Sequence, residues 1–234
     1  LGVFGFVLDL EDVRAAVYEG YTVKSEEFSD LHDSDLIVIS AGLPQKPGQT
    51  RLDMVEGNLK VIKEIAENVK ASGFTGITII ISNPVDVMTQ AYIKYTGFDP
   101  KRVLGSGTIL DTARLQHAIG ADLGVDVKNV QGYVLGEHGD SSLVAFSSIS
   151  VAGTPLCQWK SRFTASNYEA DLEHPVSRKA YEIINRKRAT FYGIGANISK
   201  LIRAIVKDTN SIIVAGALMH GEYGYSDVVF GSPC

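Results

Sequence analysis

Ile77-Thr78-Ile79-Ile80-Ile81-Ser82-Asn83-Pro84 is a β-branched run stopped by an Asn-Pro pair. Its unbroken apolar character, without alternation, marks a strand covered on both faces, as in a parallel sheet. Before it, Leu52, Val55, Leu59, Ile62, Ile65 and Val69 recur at helical spacing until Gly73 closes the helix. A second buried run, Leu36-Ile37-Val38-Ile39-Ser40, precedes that helix. The loop between them, 41–51, holds two prolines and two glycines that forbid regular structure. On the other side, Val85 to Tyr95 reads as a helix ended by Gly97. Val103-Leu104 then leads through Gly105-Ser106-Gly107 into a helix from Thr108 to Leu123. Strand, loop and helix repeated in this order predict an α/β fold on an open parallel sheet. Ligands bind beyond the carboxyl ends of such strands. Ser40/Gly42, Ser82/Asn83 and Gly105/Ser106 are therefore three lips of one expected crevice.

The flanks are less regular. Leu1 to Leu8 shows no period; Asp9 to Tyr18 reads as a short helix and Tyr21 to Ser25 as an alternating strand. Later, Val130 to Leu135 reads as one strand and Ser142 to Val151 as another. Ala170 to Arg188 reads as a polar helix, Thr190 to Ile205 as a more apolar one, and Ser211 to Ala217 as a strand. This change of texture predicts a second, mixed α+β domain beginning near Gly105. Gly105-Ser106-Gly107 superficially opens a dinucleotide fingerprint, but Leu110 stands where the third glycine belongs, so that motif is rejected.

With 234 residues, 45% hydrophobic and 21% charged, the chain can bury one large core or two small ones. A net charge of -5 without a long basic run disfavours nucleic acid and anionic membranes as partners. Cys157 and Cys234 are the only cysteines, which fits a reducing cytosol rather than a disulfide framework. No apolar run approaches the ~20 residues of a membrane span. A cytoplasmic protein without a metal site is expected.

Leu135-Gly136-Glu137-His138-Gly139-Asp140-Ser141-Ser142 lies between two apolar runs. A histidine at the mouth of a strand, followed by glycine, stands where a rigid scaffold meets a ligand-admitting loop. Its imidazole also exchanges protons near neutral pH. Alone, it reads equally as a satisfied loop histidine. Asp111 and Arg114 share a helix face and supply a carboxylate and a guanidinium. Arg51 ends the flexible loop, and Asn83 ends a buried strand. Each has a plainer alternative: Asp111 closes a capping box with Thr108, and Arg114 pairs with Asp111 on the surface. Arg51 is then a solvated loop residue and Asn83 a turn former.

Four blocks in order carry a likeness beyond these single residues. They are Ala41-Gly42 through Lys46-Pro47-Gly48-Gln49-Thr50-Arg51; Asn83-Pro84-Val85-Asp86; Gly105-Ser106-Gly107-Thr108-Ile109-Leu110-Asp111-Thr112-Ala113-Arg114; and Gly136-Glu137-His138-Gly139-Asp140. Together they resemble the L-lactate/malate dehydrogenase family. Gly221-Glu222-Tyr223-Gly224 and Gly231-Ser232-Pro233-Cys234 are similar to late parts of its catalytic domain. The resemblance implies an NAD-dependent oxidoreductase that passes hydride between NAD and a 2-hydroxy acid. It implies His138 as the proton donor and acceptor, Asp111 as its orienting carboxylate and Arg114 as the clamp on the substrate carboxylate. Arg51 is implied as the group that polarises the carbonyl once its loop closes. Asn83 and Thr190 are implied beside the substrate, and Gly42, Leu43, Ile81, Asn83, Ser106 and Ile194 beside the cofactor.

Gln45 is implied to choose the substrate. Malate-type members resemble this loop but carry arginine there, to pair with a second carboxylate. A neutral glutamine leaves that carboxylate without a partner, a penalty of several kcal/mol. L-Lactate dehydrogenase activity, in glycolysis or fermentation, is therefore expected ahead of malate dehydrogenase activity. Arg188-Ala189 replaces the Gly-Tyr usual in lactate-type members, which leaves a bulkier 2-oxo acid such as 2-oxoisocaproate as an alternative. A non-catalytic protein on the same fold is the alternative from another class.

The fold implied is a Rossmann-type parallel sheet over 1–104 followed by a mixed α+β catalytic domain over 105–234. The family's first strand, its G-x-G-x-x-G and its ribose-binding acidic residue have no counterpart here, and its C-terminal helix is not reached. The sequence is therefore expected to be incomplete at both ends. The family's habit adds a homo-oligomer, tetramer or dimer.

Overall fold

A computed structural model describes residues 2–17, 20–43, 55–162 and 168–234. Gln45 and Arg51 lie outside the described residues.

In chain order the elements are α1 (Gly2–Val13), β1 (Leu36–Ile39), α2 (Val55–Ala71), β2 (Ile77–Ile80), α3 (Val85–Thr96), β3 (Val103–Gly105) and α4 (Ile109–Leu123). Short strands follow: β4 (Val130–Gln131), β5 (Val134–Leu135), β6 (Leu143–Val144), β7 (Ser150–Val151) and β8 (Thr154–Pro155). The chain ends with α5 (Tyr168–Lys187), α6 (Tyr192–Val206), β9 (Val214–His220) and β10 (Ser226–Pro233).

β1, β2 and β3 pair in parallel, in that order, as their unbroken apolar character predicts. Successive strand side chains point to opposite faces, and both faces of β2 are covered. Ile80 packs with Ile62, Ala66 and Val69 of α2 and with Val85, Met88 and Tyr92 of α3. Its neighbour Ile79 packs on the other side with Ile198 and Leu201 of α6. Both isoleucines are wholly buried, each worth about 1.5–3 kcal/mol relative to exposure. α3 ends at Gly97 in the left-handed conformation, which an L side chain adopts only with strain.

The sheet is mixed rather than purely parallel. β9 and β10 extend it as an antiparallel pair, with Gly105 of β3 opposite Gly216 of β9. The strand expected over Ser211 to Ala217 thus begins later, at Val214, and β10 is an element that periodicity missed. Its Gly231, Ser232 and Pro233 dilute a short apolar core of Val228, Val229 and Phe230. Gly107 explains the glycines before α4: it has φ +47, and a Cβ there would stand 2.5 Å from the Gly216 backbone nitrogen. That glycine run is a packing seam between β9 and the start of α4.

Three expected strands are corrected. Residues 21–25 form none; Tyr21 and Val23 turn partly inward, and the Tyr21 hydroxyl donates to the Leu10 carbonyl. Alternation there serves one-sided packing, since no ladder is formed. The run Val130 to Leu135 breaks at Gly132, where a Cβ would meet Ile149, so β4 joins β7 while β5 joins β6. Ser142 to Val151 breaks at a 3₁₀ turn over Phe146–Ser148. The small sheets share a core with α4 and α5 through Leu115, Ile119, Val134, Val144, Leu172 and Val176. At the N-terminal end, the helix expected from Asp9 starts at Gly2 instead and exposes Phe4 and Phe6. No described helix is long and apolar enough to cross a membrane.

Candidate active site

The carboxyl ends of β1, β2 and β3 open on one side, and two side chains tie the first two together. Ser82, just past β2, donates to the carbonyls of Ile39 and Ala41. Asn58 of α2 accepts from the Leu43 backbone N–H at 2.7 Å and donates to the Asn83 carbonyl at 2.7 Å. One buried amide thus clamps the loop after β1 to the loop after β2. Sequence reasoning gave Asn58 no part. The signal was present, because Asn58 is a polar residue in the stripe that Ile62, Ala66 and Val69 continue.

The loop 136–142 is held over the same opening by three elements. Gly136 exchanges backbone hydrogen bonds with Gly231 of β10, at 2.9 and 2.8 Å. At the start of α4, Thr108, just before the helix, and Thr112, in its first turn, pin Val134 of β5: the Thr108 hydroxyl donates to its carbonyl and the Thr112 hydroxyl accepts its N–H. Thr108 makes no side-chain cap, so the capping-box alternative for Asp111 is not what the helix uses. Residues three and four apart share a face, and the Thr108–Asp111–Thr112 face is turned to β5 and its loop.

Asp111 bridges an imidazole and a guanidinium. Its Oδ2 lies 2.6 Å from Nδ1 of His138, and its Oδ1 accepts from Arg114 Nη1 at 2.9 Å. Asp111 and Arg114 are each exposed by only 8% at their side chains, so the surface-pair alternative for Arg114 is corrected to a buried pair. With Nδ1 turned to Asp111, the ring's Nε2 lies on the edge away from it, and the ring lines the cavity. An imidazole backed by a carboxylate in this way suits proton transfer.

The third hold on the loop is Asp86 in the first turn of α3. Its Oδ2 accepts the His138 backbone N–H at 2.8 Å, while its Oδ1 is shut off from solvent with no hydrogen-bond partner. Burial pushes this carboxyl up to about 6, against the His138 backbone hydrogen bond and the His138 charge, which lower it. Glu137 and Asp111 raise it further. Asp86 falls within Asn-Pro-Val-Asp but received no role from the sequence.

The cavity over the strand ends has a volume of about 500 Å³. Ile81, Asn83, Ser106, His138, Thr190 and Ile194 line it, all expected at the site. Leu110 and Phe191 add apolar wall. Ile81 and Ile194 give apolar cover while Ser106 and Asn83 offer polar atoms, a lining suited to a flat ring carrying an amide. Gly42, Leu43 and Arg114 are not in the lining. Leu43 has an exposed side chain, its backbone being the part held by Asn58.

Residues 2–105 match the family model described as lactate/malate dehydrogenase, NAD binding domain. Residues 108–234 match lactate/malate dehydrogenase, alpha/beta C-terminal domain. The chain is 55% identical over 232 residues to L-lactate dehydrogenase of Mesomycoplasma hyopneumoniae (strain 232), covering 98% of this chain and 73% of that protein. The minor L-lactate dehydrogenase of Enterococcus mundtii, solved in a ligands-bound form, superposes with TM-score 0.93 at 40% identity, covering 98% of this chain and 74% of that one. Malate dehydrogenase from Plasmodium falciparum gives TM-score 0.92 at 29% identity, with the same 98% and 74% coverage.

Proposed function

The chain belongs to the lactate/malate dehydrogenase family, and on that premise we propose that it is an NAD-dependent L-2-hydroxy acid dehydrogenase of lactate type, interconverting pyruvate and L-lactate. The single observation that carries this is the His138–Asp111–Arg114 chain of contacts at the edge of the cavity. Fold does not separate the lactate and malate branches, since both superpose closely. Gln45 does: a neutral side chain gives a second carboxylate no partner.

NAD(H), when bound, supplies or accepts the hydride. Ile81, Asn83, Ser106 and Ile194 would hold its nicotinamide end, and Gly42 and Leu43 would pass its phosphates with their backbone, in the part of the chain matched by an NAD binding domain. His138 carries the proton at Nε2 and gives it to the keto oxygen, taking it back in the reverse direction. Asp111 fixes the tautomer, because a carboxylate on Nδ1 leaves the proton-transfer position at Nε2. Arg114 has one nitrogen on Asp111 and a planar fork of further donors for the substrate carboxylate. Arg51 polarises the carbonyl where negative charge develops, a donor typically worth about 3–4 kcal/mol of transition-state stabilisation. Asn83 bonds the substrate oxygen, and Thr190 stands beside the substrate methyl. Leu110 and Phe191 add apolar wall to the same cavity, which suits the apolar end of a monocarboxylic 2-oxo acid.

The division into a cofactor part, 1–104, and a catalytic part, 105–234, a cytosolic location and a dimeric or tetrameric state belong to the same proposal. Cys157 and Cys234 are free, as a reducing compartment would keep them. The test follows NADH absorbance with pyruvate, 2-oxoisocaproate and oxaloacetate in turn. Pyruvate is expected to be reduced fastest. Equal or faster reduction of oxaloacetate would move the chain to the malate branch, and no oxidation of NADH with any of the three would remove the proposal.

A further inference from the structure

Among the described residues two carboxylates hold His138 from different sides: Asp111 holds its ring, and another holds its backbone. We propose that Asp86 is a positioning residue for proton transfer, setting through the His138 backbone N–H where the imidazole stands over the cavity. The inference rests on the dehydrogenase reading for its catalytic consequence and on geometry alone for the positioning.

Four observations converge. The Asp86 carboxylate takes the N–H of the one histidine that lines the cavity among the described residues, across 52 residues of sequence. The neighbouring attachment of the loop, Gly136 to Gly231, lies two residues earlier and on another element. Without Asp86, the segment after it would pivot about Gly136, whose φ is +87. Finally, Asp86 keeps Oδ1 buried and unpartnered, an arrangement that is unfavourable by itself and so points to a task for Oδ2. A hydrogen bond to an ionised acceptor is shorter and roughly twice as strong as a neutral one. The charged groups acting on Asp86 are His138, Glu137 and Asp111, with Arg114 behind Asp111. Because the carboxyl sits at about 6, mild acid protonates it and weakens its hold on the loop.

The experiment compares wild type with Asp86→Ala and Asp86→Asn. Misplacing a catalytic group by about 1 Å costs on the order of 100-fold in rate. In pyruvate reduction Asp86→Ala should therefore lose about 10- to 100-fold in kcat, with KM for pyruvate and Kd for NADH within about twofold. Asp86→Asn keeps an oxygen for the N–H and should recover a large part of that loss at pH 7.5.

A second readout does not need activity. The chain has five histidines, so ¹⁵N-histidine labelling gives a sparse amide spectrum in which His138→Gln identifies the His138 signal. The difference between the His138 amide shifts of wild type and Asp86→Asn should change as pH falls through about 6, the part of the titration that belongs to Asp86. A kcat for Asp86→Ala within about twofold of wild type, or a difference between the wild-type and Asp86→Asn amide shifts that stays constant from pH 8 to 4, overturns the proposal. Wild type that never oxidises NADH removes the dehydrogenase reading instead, and the amide titration still decides the positioning.

Discussion

Nδ1 of His138 and Oδ2 of Asp111 lie 2.6 Å apart, although 27 residues separate them in the chain. The pair forms because α4 and β5 are locked together by Thr108 and Thr112, which hold both polar groups of Val134. The carboxylate therefore meets a ring whose tautomer it selects. Asp111→Asn keeps the shape but presents an amide whose nitrogen and oxygen compete for Nδ1. Loss of general acid–base catalysis costs about 10²- to 10⁴-fold, so kcat/KM for pyruvate should fall by at least about 100-fold, with NADH affinity unchanged by fluorescence titration. A variant within about tenfold of wild type would mean that the ring needs no such partner.

Asn58 makes a separate prediction because it touches neither substrate nor imidazole. Asn58→Ala leaves the Leu43 N–H and the Asn83 carbonyl without their partner. Both groups are only partly shielded from water, so each orphaned one costs toward the lower end of the about 1–3 kcal/mol of a buried group, and a helix-interior alanine gives back a few tenths through propensity. Urea unfolding should show a net loss of about 1–3 kcal/mol. KM for NADH should rise more than KM for pyruvate, since the loop at Gly42 and Leu43 is the one set loose. Equal changes in the two constants would count against the cofactor role of that loop.

Much of this was legible in the sequence for a physical reason. An unbroken run such as Ile77 to Ser82 has one stable use, a strand buried on both faces, and Ile79 and Ile80 do pack into cores on opposite sides. The lips Ser82, Asn83 and Ser106 followed from strand ends alone. His138, Asp111 and Arg114 came to hand as residue types, and their likeness to a family supplied roles that spacing did not. What escaped was long-range. β10 has too few apolar residues to announce itself, and its partner β9 crosses back to β3 through the glycines at 105 and 216. Asn58 and Asp86 act on backbone groups 15 to 52 residues away, and no local pattern encodes such a contact. The breaks at Gly132 and at Phe146 to Ser148 were hidden likewise, because alternation persists while the pairing changes from one small sheet to another.

Substrate choice is predicted to reside in Gln45. On the proposed reading, a second carboxylate beside the neutral amide of Gln45 is desolvated without compensation, which costs several kcal/mol. Gln45→Arg supplies the missing charge and a bidentate fork. The ratio of kcat/KM for oxaloacetate to that for pyruvate should rise by about 100-fold or more, the equivalent of about 3 kcal/mol. A variant that still reduces pyruvate normally and ignores oxaloacetate would show that another residue reads the substrate's far end.

Asp86 finally gives a stability prediction whose sign is opposite to that of an ordinary ion-paired carboxylate. Burial raises it from 3.8 to about 6, so between those values the folded chain binds more protons than the unfolded one. Stability then falls as pH rises through this window, and the penalty is fully present above about 6. A shift of one pKa unit corresponds to about 1.4 kcal/mol, but Asp86 is only half-buried, so solvent screening reduces the yield to roughly 1–2 kcal/mol. Asp86→Asn cannot ionise and should unfold at higher urea than wild type at pH 7.5, with the gap closing as pH is lowered toward 4. Its amide nitrogen, facing the buried position of Oδ1, offsets part of the gain. Chemical denaturation of both proteins across pH 4 to 8 checks this directly. Parallel stability curves would mean that Asp86 ionises as easily in the folded chain as in the unfolded one. The expected crossing, with greater stability and slower turnover in one variant at neutral pH, would mark a carboxylate kept charged for the histidine rather than for the fold.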